Sequence, residues 1–237
     1  MSIEANLIIS LLKLTREGAV SLELVKKDAK LPLQLVEKLL QKLQNDGYIY
    51  LQKNVVDVDC LQRVKLAVYA VQLGADLEYV SGFLRWKEFE DIAAIAFERN
   101  GYGVYRNLRF KHAGRRWEID VVGCKKPIAV CLDCKHWHYG VYPSALRKIV
   151  EEQVERTFTF AESLPNPSVK IECVSWERIK FVPAILLLAA GRFKFFDDVP
   201  IIPVLQLQDF LTQLPAFADS LKHLTKNMRS RATFGIQ

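Results

Sequence analysis

The sequence predicts an α/β protein in two parts. Residues 1–80 form a mostly helical N-terminal domain, and residues 81–237 form an α/β domain around a mixed central sheet. Three observations predict it. Leucines recur at helical spacing in the first third of the chain. From residue 84 the rhythm becomes helix, three strand-like segments, helix, strand, which is an α/β pattern. One of those segments opens with the near-continuous apolar run Ile128–Leu132, the mark of a strand buried on both faces.

The elements follow in order. Residues 5–13 are apolar enough for a first helix. Ser21 suits the cap of a second, with Glu23 in its first turn, where the helix dipole favours a carboxylate. Pro32 fits the start of a third helix. Leu35, Leu39, Leu40 and Leu43 make its apolar stripe, with Lys38 and Lys42 beside the stripe. Asn45-Asp46-Gly47 stops it, and two short strands follow over 48–51 and 55–58. A linking helix spans 59–73. Three helices and a two-strand wing, carried by LPLQLVEKLLQKLQNDGYIYLQKN, resemble a winged helix-turn-helix domain. That resemblance implies a third helix that meets DNA, here through Lys38 and Lys42, or a module that meets another protein.

In the second part a helix over 84–100 stops at Asn100-Gly101. Strands are predicted over 102–110, 116–123 and 127–136, then a helix over 143–163. Buried strands over 181–190 and 199–207 precede a last helix from residue 209.

Composition narrows the function. Half of the 237 residues are apolar and a quarter are charged, the balance of a globular protein. Disordered, collagen-like and disulfide-scaffold classes are excluded. The longest apolar run, Pro183–Gly191, is far short of the roughly 20 residues of a membrane helix. The N-terminus lacks a basic leader and a cleavage site, and the five cysteines are odd in number. Reduced thiols and a cytoplasmic location are therefore expected. The net charge is +6. Residues 1–80 hold equal numbers of acids and bases, so the whole excess lies beyond them and suits a nucleic-acid partner. Lys222–Arg231 is basic without an acid and reads as a frayed tail, either touching phosphates or solubilising the chain.

Chemistry is concentrated in three places. On a helical wheel of residues 86–97, Trp86, Phe89, Ile92, Ala93, Ala96 and Phe97 form the apolar side. Glu88, Asp91 and Glu98 fall opposite, whereas Glu90 lies on the flank of the apolar stripe. On the strand Trp117–Gly123, Ile119 and Val121 point one way; Glu118, Asp120 and Val122 point the other. The third strand ends in Asp133 and Lys135 on one face. A central strand holds two charges only where something balances them.

A helix Glu, a strand Asp and an Asp-x-Lys on the next strand resemble the PD-(D/E)xK nuclease superfamily. The likeness is to Mrr-type restriction endonucleases and archaeal Holliday-junction resolvases. It runs over about residues 84–163 and is carried by FEDIAAIAFERNGYGVYRNLRF, EIDVVG and CLDCKHW. It implies a restriction-endonuclease-like domain that hydrolyses DNA with Mg²⁺ or Mn²⁺. Asp120 and Asp133 would be the metal carboxylates, with Glu90 holding a water of the ion or a second ion. Lys135 would orient the attacking water and offset negative charge on the phosphate. Gln153, on the following helix, would support the site. Arg115 and Arg116 at a hairpin end and His136 beyond the lysine would contact DNA.

Two departures stand out. Ile119 precedes Asp120 where proline is common, and Asp133 replaces a more usual Glu or Gln. By analogy the protein is expected to be a homodimer, with the apolar segment Phe210–Phe217 as interface or core. The alternative is a non-catalytic DNA- or protein-binding subunit built on the same fold. Retention of both acids and the lysine favours the enzyme. Cys131 and Cys134 face opposite ways on an extended strand, which argues against a zinc site.

Overall fold

The computed structural model describes residues 2–135, 143–188 and 193–228. The chain divides into two compact units, with the boundary between Ile92 and Ala93.

The first unit holds α1 (Ile3–Leu14), β1 (Val20–Ser21), α2 (Leu22–Ala29), α3 (Leu33–Asn45), β2 (Tyr50–Gln52), β3 (Val55–Asp57), α4 (Cys60–Gln72), α5 (Leu77–Ser81) and the start of α6 (Trp86–Arg99). Local chemistry explains the boundaries. Ser2 and Ser21 cap α1 and α2 with their hydroxyls. Asp59 and Gln62 form a reciprocal capping box on α4. Strands β1, β3 and β2 make a small antiparallel sheet in that order. The pair Val20–Ser21 had no strand signal because two residues are too few to show an alternation. The deepest residues of α3 are Val36, Leu40 and Leu43, while Leu35 and Leu39 are half-buried.

Burial corrects the expected wheel of α6. Glu88 is buried, not exposed. Its Oε1 lies 2.6 Å from Arg63 Nε, and its Oε2 accepts from the Arg85 N–H at 2.7 Å. Arg63 also donates to the Leu12 and Phe83 carbonyls and to Thr15 Oγ1. An arginine from α4 thus meets the carboxylate with its fork filled, which is the condition for burying such a pair.

The second unit holds the rest of α6, then β4 (Gly103–His112), β5 (Arg115–Lys125), β6 (Ile128–Cys134), α7 (Pro143–Ser163), β7 (Arg178–Leu187), β8 (Phe195–Phe196), β9 (Val199–Pro203), α8 (Leu207–Phe217) and β10 (Leu224–Asn227). Its sheet runs β4-β5-β6-β7-β9-β8, with β10 also on β7. The β4, β5 and β6 pairings are antiparallel, whereas β6, β7 and β9 are parallel. The central sheet is therefore mixed. All seven residues of β6 are buried. Gly123 in β5 lies so close to Phe97 of α6 that a Cβ there would sit 2.2 Å from the ring.

Three further expectations change. Part of the basic tail is strand: residues 224–227 pair with β7, and Lys226 Nζ donates to the Ala161 carbonyl near the end of α7. Leu224 and Met228 pack on the core, so the segment gains apolar contacts as well as a ladder. Strand β7 starts at Arg178 because its first residues pair with that tail. Alternation along β5 also breaks. Ile119 joins Val122 and Cys124 in one core, together with Tyr105, Leu108 and Phe110 of β4. Side chains three residues apart cannot share a face on a regular strand. The irregularity falls where the β4–β5 ladder skips Asn107 and Asp120, and Asn107 has a left-handed φ of 49°.

Pro183 lies inside β7, where a missing donor would ordinarily break a ladder. Here β10 pairs with residues 178–181 and β9 with residues 185–187. Pro183 occupies the gap between them on that side. In α8 the buried residues are Leu207, Leu211 and Leu214, so these leucines are core.

Candidate active site

The site is built where β5 and β6 stop pairing. Their last described pair toward this end is Val121 with Leu132. Asp120 comes directly before that pair and Asp133 directly after it, close enough for the charge of Asp133 to act on Asp120. In place of the ladder, Asp120 Oδ2 accepts the Cys134 N–H at 2.7 Å. Lys135 is held through its backbone N–H, which donates to the Leu186 carbonyl of β7 at 2.9 Å.

Asp133 is 2% exposed. Its Oδ1 accepts from Arg156 Nη1 at 2.6 Å. Its Oδ2 lies 3.0 Å from Lys135 Nζ. That ammonium stands off hydrogen-bond geometry, and no described donor satisfies this buried oxygen. Gln153, fully buried on α7, donates from Nε2 to the Cys131 carbonyl at 2.7 Å. Its Oε1 accepts from Arg156 at 3.1 Å.

The electrostatics follow from this packing. Burial pushes the Asp120 carboxyl up to about 6, and the charge of Asp133 adds to the shift. The Cys134 N–H, Lys135 and Arg156 act against it. Two carboxylates close together where the β5–β6 ladder stops, one with a buried oxygen that no described residue hydrogen-bonds, suit a hard divalent cation that takes few carboxylates and keeps its waters. No three His, Cys, Asp or Glu gather into a metal-holding group among the described residues.

Asp120, Asp133, Lys135 and Gln153 thus come together. Glu90 belongs to the first unit, half-buried on α6 between the buried Phe89 and Ile92 and beside Asp91. His136 lies outside the described residues. Lys38 is exposed on α3. Lys42 is engaged: its Nζ donates to both oxygens of Glu4, the nearer at 2.8 Å, and to Tyr69 Oη at 3.1 Å. Glu4 and then Tyr69 raise its pKa. Arg115 stacks 3.8 Å over the Trp117 ring and reaches Glu155. Arg116 lines a cleft of about 780 Å³ with Arg109, Lys111, Trp117 and Asn166.

Arg156 escaped the sequence reading. Its signal was its place three residues after Gln153, which puts both on one helix face.

No protein-family model matches the chain. An uncharacterized protein of Archaeoglobus fulgidus is 27% identical over 132 residues, covering 55% of this chain and 92% of the relative. Among solved structures, the chain is similar to the restriction endonuclease FokI at a TM-score of 0.34 and 12% identity, covering 90% of this chain and 44% of that one. Its similarity to protein VC1899 from Vibrio cholerae has a TM-score of 0.38 at 12% identity, covering 91% and 50%. The chain spans half or less of the length of these structures. Likenesses this remote carry no functional conclusion.

Among the described residues no helix is long and apolar enough to cross a membrane.

Proposed function

We propose that this protein is a metal-dependent DNA endonuclease that hydrolyses phosphodiester bonds, its catalytic domain over residues 81–237 being restriction-endonuclease-like. One observation carries the reading: Asp120, midway along β5, and Asp133, next to last in β6, come together beside Lys135, and no described residue hydrogen-bonds Asp133 Oδ2, which Lys135 Nζ approaches to 3.0 Å. Asp120 and Asp133 would hold Mg²⁺ or Mn²⁺, with Glu90 proposed as the third acid. When bound, the ion polarises the phosphodiester and makes water a stronger nucleophile. Lys135 orients the water that attacks phosphorus and offsets negative charge as the P–O bond to the leaving strand breaks. Gln153 acts through position, since it holds the Cys131 carbonyl and the guanidinium that contacts Asp133. Arg115 and Arg116 contact the DNA backbone.

The N-terminal domain, residues 1–80, is proposed as a winged helix-turn-helix module. Both lysines are exposed, but Lys42 is tied to Glu4 and Tyr69, which favours a protein partner over DNA for this domain.

The test is cleavage of labelled linear, single-stranded, flapped and four-way DNA with Mg²⁺ or Mn²⁺ against EDTA. Asp120→Ala, Lys135→Ala and Glu90→Gln proteins run in parallel. Metal-dependent cutting by the wild type, lost in the first two variants, is expected. Absence of cutting with DNA binding unchanged in the variants would replace the enzyme by a binding subunit. Full activity in Glu90→Gln would remove Glu90 from the site.

A further inference from the structure

We infer that Arg156 is a built-in counter-ion of the Asp120–Asp133 pair, and that its charge competes with a divalent cation and sets how tightly the site binds one. This rests on the metal-dependent reading above. Among the described residues of the second unit, two acids, Asp120 and Asp133, act on one another beside two cations, Lys135 and Arg156. Those cations offset the pair before any ion binds. Arg156 contributes most directly: its Nη1 is 2.6 Å from Asp133 Oδ1, with side-chain exposures of 20% and 3%. Lys135 is the more exposed cation, at 26%. The guanidinium is aimed, since Gln153 accepts from it at 3.1 Å while anchored on the Cys131 carbonyl. Arginine cannot give up its proton to make way for another cation. Asp133 therefore meets any incoming ion with one oxygen already bonded to a fixed positive charge.

Two consequences follow. Removing the charge strengthens cation binding, because the carboxylates lose a competitor. It also weakens the ion-free fold, because a buried carboxylate loses its partner. Arginine's role here is charge more than shape, so lysine at 156 keeps it.

The experiment uses the full chain and Mn²⁺ alone, with no DNA. Arg156→Gln and Arg156→Lys are compared with the wild type by calorimetric titration and by melting in EDTA and in Mn²⁺. Arg156→Gln is expected to bind Mn²⁺ about tenfold more tightly, since a unit charge at contact distance is being removed from a partly buried site. It should melt lower in EDTA and recover as Mn²⁺ is added, while Arg156→Lys stays near the wild type. If Arg156→Gln is unfolded in EDTA, recovery of a cooperative melt with Mn²⁺ supports the inference and failure to recover overturns it. Unchanged or weaker Mn²⁺ binding in Arg156→Gln, or the same behaviour in Arg156→Lys, overturns it while leaving the metal site standing. No Mn²⁺ uptake by the wild type or either variant overturns the metal-dependent reading itself.

Discussion

Gln153 Nε2 donates to the Cys131 carbonyl at 2.7 Å, so a side chain of α7 adds a hydrogen bond to a central strand two residues before Asp133. Both partners are buried. Gln153→Ala removes a hydrogen bond from a buried carbonyl of the β6–β7 ladder and releases Arg156 from one contact. A loss of about 1 kcal/mol is expected, the ordinary net worth of such a bond. Urea unfolding measures it, and a loss below that of an exposed control such as Gln41→Ala would show the bond to be dispensable.

The ionisation of Asp120 makes stability depend on pH. Its carboxyl titrates near 6 in the folded chain against an ordinary 3.8. Between those values the folded state keeps a proton that the unfolded state has lost. Stability from this group is therefore full below the lower value and falls as pH rises through the upper one. Asp120→Asn removes this dependence. In EDTA above about pH 7 the variant should be the more stable protein, by on the order of 2 kcal/mol, with the difference vanishing toward pH ~4. Denaturant titrations across that range check it; a gap independent of pH would refute the cause.

Breaking the Arg63–Glu88 pair should be among the most damaging single changes in the first unit. Glu88→Ala leaves a guanidinium that is 4% exposed without its carboxylate. About 3–5 kcal/mol is the ordinary cost. A loss under ~1 kcal/mol, the scale of a surface ion pair, would show that water reaches the site.

Gly123→Ala forces a methyl against Phe97. Overpacking of this kind costs about 1–3 kcal/mol. Phe97→Leu in the same chain should return part of that loss. A double-mutant cycle on thermal unfolding reads the coupling, and additivity would mean the two residues do not touch.

Some of this was legible in the residues and some was not. Strand β6 announced itself, since Ile128–Leu132 is apolar without a break and only a two-faced burial calls for that. Asp133 and Lys135 stood out because they end that run. Glu88 was misplaced because a wheel sees one helix alone and not the partner that another element brings to its polar side. Arg63, which makes its burial tolerable, is 25 residues away in sequence. Arg156 was hidden for a similar reason, as one cation among several charges on α7. The shift in alternation at Asp120 had no local cue: it arises from a pairing between two strands, and Asn107 reads like any turn-tolerant residue.

Pro183 has one more consequence. Strand β7 is apolar along nearly its whole length, so hydrophobicity alone would let it slide against its neighbours. A residue with no N–H fits only where no acceptor waits, and the gap between β10 and β9 is such a place. Pro183 therefore works as an index pin. With it seated, Ile185 falls opposite Asp133 and Leu186 offers its carbonyl to Lys135. A slip by two residues would keep apolar side chains on the same faces, yet set Pro183 against an acceptor and carry the anchor of Lys135 away from the acids it serves.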